Sequence, residues 1–167
     1  MQGSLWQILC IVRSVRGTVF FMNYRMWHFR GEYIFENTIV RMQIAICDDE
    51  KSIGLILEEK IKKLLPDAVI EKYLSGDELI ASGCEPDILF LDIQMPGMDG
   101  METARILRQK NERMVLIFVT AVEEYVFQAF DVAAFHYLVK PFSDEKFEEV
   151  VKRAVRSIKE YSENQLD

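Results

Sequence analysis

From Met42 onward, short apolar runs alternate with amphipathic runs, and this alternation limits the fold more than any other feature of the sequence. The short apolar runs predict strands at residues 42–47, 68–74, 87–92, 115–120 and 135–139. The runs between and after them predict helices at residues 53–65, 77–81, 99–109, 123–130 and 143–161. Strands that alternate with helices are typical of an α/β protein with a parallel sheet.

The first, third and fourth predicted strands are almost continuously apolar, with the sequences MQIAIC, DILFLD and VLIFVT. Such strands are expected when helices cover both faces of a parallel sheet. The 167 residues are enough to bury one core. We therefore predict an α/β fold in which a doubly wound, five-stranded parallel sheet carries helices on both faces.

Charge divides the chain into two parts. Residues 1–41 hold five arginines and two glutamates, whereas residues 42–167 hold fifteen basic and twenty-five acidic residues. We therefore predict an N-terminal extension at 1–41 and one folded domain at 42–167. The net charge of -7 argues against a nucleic-acid surface, which normally has a basic excess.

The extension begins with apolar residues at helical spacing, from Leu5 to Val12. Arg13 and Arg16 interrupt this run before it reaches the roughly 20 residues of a spanning helix, and the order of a signal peptide is absent. A short interfacial helix is one interpretation. The favoured one is a weakly ordered upstream stretch included by a mistaken start, with Met42 as the true initiator. Neither predicts a firm membrane association.

Three cysteines without CxxC spacing indicate neither a disulfide framework nor a zinc site, and predict a reducing cytoplasm. The sequence also lacks the phosphate-binding pattern GxxxxGK[ST].

Polar residues stand at the carboxyl ends of four predicted strands. In chain order these are Asp48, Asp49 and Glu50, then Asp92, then Thr120, then Lys140 and Pro141. Ligand sites of open α/β sheets lie at this edge, so we expect the side chains to converge there. Each has a local alternative, since acids and threonine cap helices and aspartate forms turns. Their joint placement favours a shared site.

Four motifs, CDDE, FLDIQMPGMDG, FVTA and YLVKPF, resemble the signatures of response-regulator receiver domains of bacterial two-component systems, over about residues 42–161. The stretch EEYVFQAFDVAAFHYLVKPF is most similar to receivers of LytTR-type regulators. The resemblance implies a flavodoxin-like strand order 2-1-3-4-5. It also implies a cytoplasmic regulatory domain, not an enzyme, that assists its own phosphotransfer and dephosphorylation.

The same resemblance assigns roles to the residues at the strand ends. Asp92 would accept a phosphoryl group from a sensor histidine kinase, and Lys140 and Thr120 would contact that group. Carboxylates are suitable ligands for Mg²⁺. The implied ligands are Asp48, Asp49, Asp92 and the backbone carbonyl of Gln94.

A switch is also implied by the resemblance. Thr120 and Tyr137 match the hydroxyl and aromatic pair that would relay phosphorylation to the fourth helix, fifth strand and fifth helix. A homodimer through that face is a further expectation, and a cis bond is implied between Lys140 and Pro141. Without the family, Tyr137 would be an ordinary strand residue.

Two alternative functions stay open. Haloacid-dehalogenase-like phosphatases also use an aspartate nucleophile, but their motif needs a second aspartate where this chain has Gln94. A receiver-like interaction module that is never phosphorylated is the other alternative, against which the intact acids, threonine and lysine argue. LytTR-like regulators continue into another domain, so we expect a stand-alone receiver, a truncated product or a fragment, without direct nucleic-acid binding.

Overall fold

The computed structural model describes the backbone of residues 5–15, 18–29 and 32–163, and the side chains of residues 41–161. The first three strands are β1 (Leu5–Val15), β2 (Thr18–Phe29) and β3 (Glu32–Val40), which form an antiparallel sheet in the order β1-β2-β3. The helical interpretation of residues 5–12 is therefore wrong. Their apolar spacing spans only two turns, whereas pairing with the aromatic-rich β2 favours a strand. The boundary at residue 41 stays a prediction.

Five further strands form a parallel sheet, as the apolar runs predict. They are β4 (Gln43–Cys47), β5 (Val69–Tyr73), β6 (Ile88–Leu91), β7 (Val115–Thr120) and β8 (His136–Val139). Their spatial order is β5-β4-β6-β7-β8, which confirms the predicted order 2-1-3-4-5. Every residue of β6 and β7 is buried, whereas the edge strands β5 and β8 are only partly buried. The most apolar strands are thus interior strands of the sheet.

Helices cover both faces of this sheet. They are α1 (Lys51–Leu64), α2 (Gly76–Ser82), α3 (Gly100–Lys110) and α4 (Asp144–Glu163). One core cluster joins α1 and α4 to the sheet through residues such as Leu57 and Phe147. A second joins α2 and α3 to the opposite face through Leu79 and Leu107. Because successive side chains of a strand point to opposite faces, each strand contributes to both clusters. No helix in the described ranges is long and apolar enough to cross a membrane.

The connection between β7 and β8, residues 121–135, differs from its prediction. The helix expected at residues 123–130 is replaced by turns and a short 3₁₀ helix, η1 (Gln128–Val132). Only Ala129 and Val132 of η1 are buried, while Phe127 and Phe130 are 83% and 76% exposed. This segment therefore buries too narrow an apolar stripe to support a regular amphipathic helix.

The loop after β6 turns sharply before α3 begins. Gly97 has a φ of 79°, which favours glycine, and the backbone amide of Gly100 donates to the carbonyl of Ile93 at 2.9 Å. Asp99 caps α3 by accepting a hydrogen bond from the amide of Glu102 at 2.7 Å. The loop thus returns the chain directly over the end of β6.

Candidate functional site

Two buried carboxylates lie at the carboxyl edge of the sheet because two neighbouring strands end in register. Cys47 of β4 pairs with Leu91 of β6, and the next residues are Asp48 and Asp92. The amide of Asp92 donates to the carbonyl of Cys47 at 2.9 Å, so the pairing continues to the site. Only 3% of Asp48 and 6% of Asp92 is exposed. Parallel pairing alone therefore places two negative charges side by side.

Asp49 completes a group of three carboxylates. One oxygen from each of Asp48, Asp49 and Asp92 lies within 4.8 Å of the others, and Asp49 is the exposed member. Carboxylate oxygens are the ligands that a hard cation such as Mg²⁺ prefers, and Mg²⁺ in proteins usually takes one or two of them with water and phosphate oxygens. The donor chemistry of this group therefore fits a magnesium ion that stays open to solvent.

Lys140 brings a positive charge into the same site. Its Nζ lies 2.7 Å from Oδ2 of Asp48 and 3.5 Å from Oδ2 of Asp92. The backbone holds the lysine there, since its amide donates to the carbonyl of Thr120 at 2.8 Å and its bond to Pro141 is cis. The cis bond agrees with the family resemblance. One ammonium against three carboxylates leaves an excess of negative charge.

The two buried aspartates have different surroundings. Asp48 accepts hydrogen bonds from Lys140 and, at 2.9 Å, from the amide of Glu50. Burial still raises the pKa of Asp48, although these two donors act to lower it. Asp92 accepts a 2.7 Å hydrogen bond from the amide of Ile93 through Oδ1, while its Oδ2 is the oxygen that faces Lys140. An ionised Asp92 could therefore offer Oδ2 as a nucleophile.

Gly100 lies against the backbone of Asp92. A Cβ at this position would be 2.0 Å from the carbonyl oxygen of Asp92 and 2.8 Å from Cα of Ile93. No side chain fits such a space without moving the backbone that carries the carboxylate. Glycine therefore lets α3 begin close to the site.

Thr120 and Tyr137 meet through a third residue, Val122. Thr120 is completely buried, and its Oγ1 accepts a hydrogen bond from the amide of Val122 at 3.4 Å. The hydroxyl of Tyr137 donates to the carbonyl of Val122. Burial, with the nearby charge of Asp92 as a smaller cause, raises the pKa of Tyr137 to about 12. Neither contact of Val122 has a signal in the sequence.

The alternative local role of helix capping can now be compared with the hydrogen bonds of the structure. The N-cap position of α1 is Glu50, which makes no side-chain capping hydrogen bond, although Asp48 does accept from its amide. Thr120 caps no helix, because turns follow β7 and the 3₁₀ helix η1 begins only at Gln128, but Thr120 does accept a hydrogen bond from the local backbone. The side chain of Gln94 is exposed, and the role of its carbonyl stays a prediction.

Residues 44–152 match the response regulator receiver domain family, and the chain belongs to that family. The sensory transduction protein LytT of Oceanobacillus iheyensis is 35% identical over 128 residues, which are 71% of this chain and 50% of that protein. The positive alginate biosynthesis regulatory protein of Pseudomonas aeruginosa is 36% identical over 118 residues, which are 69% of this chain and 48% of that protein. The chain thus spans about half the length of these relatives.

Among solved structures, the chain resembles the response regulator TrrA of Thermotoga maritima in complex with Mg²⁺ and BeF. The TM-score is 0.61 at 30% identity, and the match covers 68% of this chain and 98% of that one. The family confirms the predicted class: a regulatory receiver domain of a two-component system, similar to LytT-type receivers. Receiver domains take phosphoryl groups from sensor histidine kinases and generally bind Mg²⁺ at an acidic pocket.

Proposed function

We propose that this chain is a phosphorylation-dependent switch in which Asp92 accepts the phosphoryl group. The observation that carries this proposal is the gathering of charge at one sheet edge: three carboxylates within 4.8 Å, with the Lys140 ammonium 3.5 Å from Oδ2 of Asp92. Asp92 is buried, directly follows the central strand β6 and presents one oxygen toward the ammonium of Lys140. These are the properties expected of a carboxylate nucleophile.

In the proposed reaction, a carboxylate oxygen of Asp92 attacks the phosphorus of a phosphohistidine on a sensor kinase. A P–O bond forms, the P–N bond breaks, and its electron pair stays on the histidine nitrogen. Negative charge on the phosphoryl oxygens would be offset by Lys140 and by a hydrogen bond from the hydroxyl of Thr120. Positioning and electrostatics supply the catalysis in such transfers.

Asp48, Asp49 and Asp92 would hold the magnesium ion, with the carbonyl of Gln94 as the proposed fourth protein ligand. A bound Mg²⁺ would neutralise charge shared between the carboxylates and the phosphoryl oxygens. Asp49 is the exposed carboxylate of the group, which suits exchange of the ion with solvent.

We further propose that Thr120 and Tyr137 relay the event to the surface. If the hydroxyl of Thr120 moves toward a phosphoryl group, its 3.4 Å contact with the amide of Val122 moves with it, and the carbonyl of Val122 is the acceptor for Tyr137. Loss of that acceptor would free the tyrosine ring to move inward. The affected surface, formed by residues 127–132, β8 and α4, includes the exposed Phe127 and Phe130, where a homodimer contact is proposed.

The direct test is incubation with acetyl phosphate and Mg²⁺, followed by intact mass measurement. The wild type should gain one phosphoryl group, and Asp92→Asn should gain none. Asp67→Asn makes the same chemical change at an exposed position outside the site and should behave as wild type. Peptide mapping should locate the group on Asp92.

No gain in the wild type, either with acetyl phosphate or with a phosphorylated histidine kinase, would refute the phospho-switch and leave the interaction module. Steady release of product from exogenous phosphoesters, lost in Asp92→Asn, would favour the phosphatase instead.

A further inference from the structure

The β7–β8 connection is held at its two ends by side chains from other elements. At its start, the hydroxyl of Tyr137 binds the carbonyl of Val122. At its end, the guanidinium of Arg108 binds the carbonyls of Val132 and Ala133. Between these points lies the 3₁₀ helix, with Phe130 exposed inside it and Phe127 exposed directly before it. The two ends differ in how firmly they are held.

Arg108 lies on α3 and binds only backbone carbonyls among its described hydrogen bonds. Its Nε donates to Val132 at 3.0 Å and its Nη2 to Ala133 at 3.2 Å. Its Nη1 donates to three carbonyls of the loop between α3 and β7: Asn111 at 3.3 Å, Glu112 at 2.8 Å and Met114 at 2.7 Å. The side chain of Arg108 therefore joins the C-terminal end of the β7–β8 connection to the loop that precedes β7.

Only an arginine can make this set of contacts. Guanidinium is planar and presents its N–H donors in a rigid fork, whereas the ammonium of lysine has three donors around a single atom. Hydrogen bonds to a charged donor are roughly twice as strong as neutral ones. Burial lowers the pKa of Arg108, in keeping with its position between α3 and the connection.

The backbone at the same end is bent. Ala133 has a φ of 48°, and it is the one non-glycine residue with positive φ in the described part of the chain. An alanine held in this region needs surrounding contacts to keep it there. Its carbonyl is one of the Arg108 acceptors, and its amide donates to the carbonyl of Phe130 at 3.0 Å.

We propose that Arg108 is the positioning residue that anchors the C-terminal end of the β7–β8 connection, so that loss of the Tyr137–Val122 hydrogen bond frees only the N-terminal end. The connection would then move about Ala133 as a lever and displace Phe127 and Phe130. Only the natural trigger of this motion rests on the proposed function. The anchor itself belongs to the unphosphorylated protein.

Hydrogen exchange at single amides, followed by NMR, tests the two ends separately. The amide of Val126, bonded to the carbonyl of Glu123, reports the N-terminal end. The amides of Ala133 and Ala134, bonded to the carbonyls of Phe130 and Ala129, report the C-terminal end. The amide of Phe118 in the interior strand β7 normalises for changes in global stability.

Tyr137→Phe removes the hydroxyl that donates to the carbonyl of Val122, so this hydrogen bond is lost without phosphorylation. Exchange at Val126 should become about fivefold faster, the effect of one hydrogen bond, while Ala133 and Ala134 keep their wild-type rates. Phosphorylated wild type should show the same pattern. Equal acceleration of hydrogen exchange at Val126 and at Ala133 and Ala134 in Tyr137→Phe would contradict the proposed anchoring role of Arg108.

Arg108→Met should accelerate exchange at Ala133 and Ala134 by roughly tenfold or more, because several charged hydrogen bonds are lost at once. Arg108→Lys keeps the charge and should restore only part of the protection. Arg105→Met is the matched control, since it removes the same charge from an exposed position of α3 and should change neither end. Unchanged rates at Ala133 and Ala134 in both Arg108 variants would refute the proposal.

The two proposals fail in different ways. Absence of a phosphoryl group on Asp92, read by mass, contradicts the proposed function but leaves the Tyr137 and Arg108 comparisons fully interpretable. If Arg108→Met does not fold, Arg108→Lys and Tyr137→Phe still decide whether the C-terminal end is held independently of the N-terminal end.

Discussion

The acidic edge of the sheet and the β7–β8 connection are neighbours in space, yet they are built by different means. At the acidic edge, Asp48 and Asp92 are placed by strand pairing, because each follows a strand whose register with its neighbour is set by buried apolar residues. In the connection, turns and a 3₁₀ helix are held by hydrogen bonds from Arg108 and Tyr137, which lie on other elements.

This difference explains why one region was predictable and the other was not. The buried strands and the polar residues that follow them are visible in the sequence as apolar runs that end in a charge. A connection held by two side chains depends on distances between elements, which no local pattern reports. The difference between the two regions also matches two roles. The rigid acidic edge suits chemistry that needs fixed geometry, whereas the β7–β8 connection, which is held by a few hydrogen bonds, suits movement.

The largest expected effect comes from crowding the rigid edge. Gly100→Ala places a Cβ 2.0 Å from the carbonyl oxygen of Asp92, so the backbone must shift. We expect a loss of about 3 kcal/mol in the free energy of unfolding, at the upper end for overpacking. Urea unfolding measures it, and acetyl phosphate labelling of the folded fraction should also slow as Asp92 moves.

Gly54→Ala is the matched control for this change. Gly54 lies inside α1, where a Cβ would meet only the side chain of Lys72 at 3.7 Å, an ordinary contact. Its stability should rise by roughly 0.5–1 kcal/mol, because alanine is the better helix former. Similar effects for the two substitutions would show that the acidic edge is not as rigid as its packing implies.

A smaller effect is expected on the rate when the positive charge of the edge is removed. Lys140→Met deletes the ammonium 3.5 Å from Oδ2 of Asp92. Phosphorylation by acetyl phosphate should slow on the order of 100-fold, as for loss of one electrostatic contact in a phosphoryl-transfer site. Time-resolved intact mass gives the rate. The control Lys146→Met changes an exposed lysine that pairs with Glu149, and it should keep the wild-type rate. Equal rates for the two variants would show that Lys140 does not assist the phosphoryl transfer.

The smallest effect is expected in the connection, where backbone strain can be relieved. Ala133→Gly suits a φ of 48°, so the variant should be more stable by roughly 0.5–1 kcal/mol after the entropy of glycine in the unfolded chain is included. Thermal unfolding checks this. Ala129→Gly changes a buried residue of η1 and should be destabilised. A loss of stability in Ala133→Gly would mean that the bend is not strained.

Much of the fold could be predicted because buried strands and helix faces appear in the sequence as apolar runs or as apolar residues at regular spacing. All five strands of the parallel sheet were predicted to within two residues of their ends, and their order followed from the family resemblance. The prediction of a helix at residues 123–130 was wrong, since the spacing of apolar residues cannot show whether Phe127 and Phe130 pack against another element. The strands of the N-terminal segment were also missed, because two turns of helical spacing do not distinguish a helix from a strand that pairs along its length.

The candidate site divides in the same way. Residues at strand ends, such as Asp48, Asp92 and Lys140, could be named from the sequence, and the structure brings their charged groups together. Val122 and Arg108 could not, because the first acts through its backbone and the second resembles any surface arginine of an amphipathic helix.

The sequence by itself determined which residues form the buried strands and therefore which carboxylates follow them at the carboxyl edge of the sheet, because apolar runs mark the strands and parallel strands end at the same edge. The tertiary structure alone decided how the segment between β7 and β8 is held. Hydrogen bonds from Arg108 and Tyr137 to distant carbonyls depend on where α3 and β8 lie, and local sequence does not encode that distance.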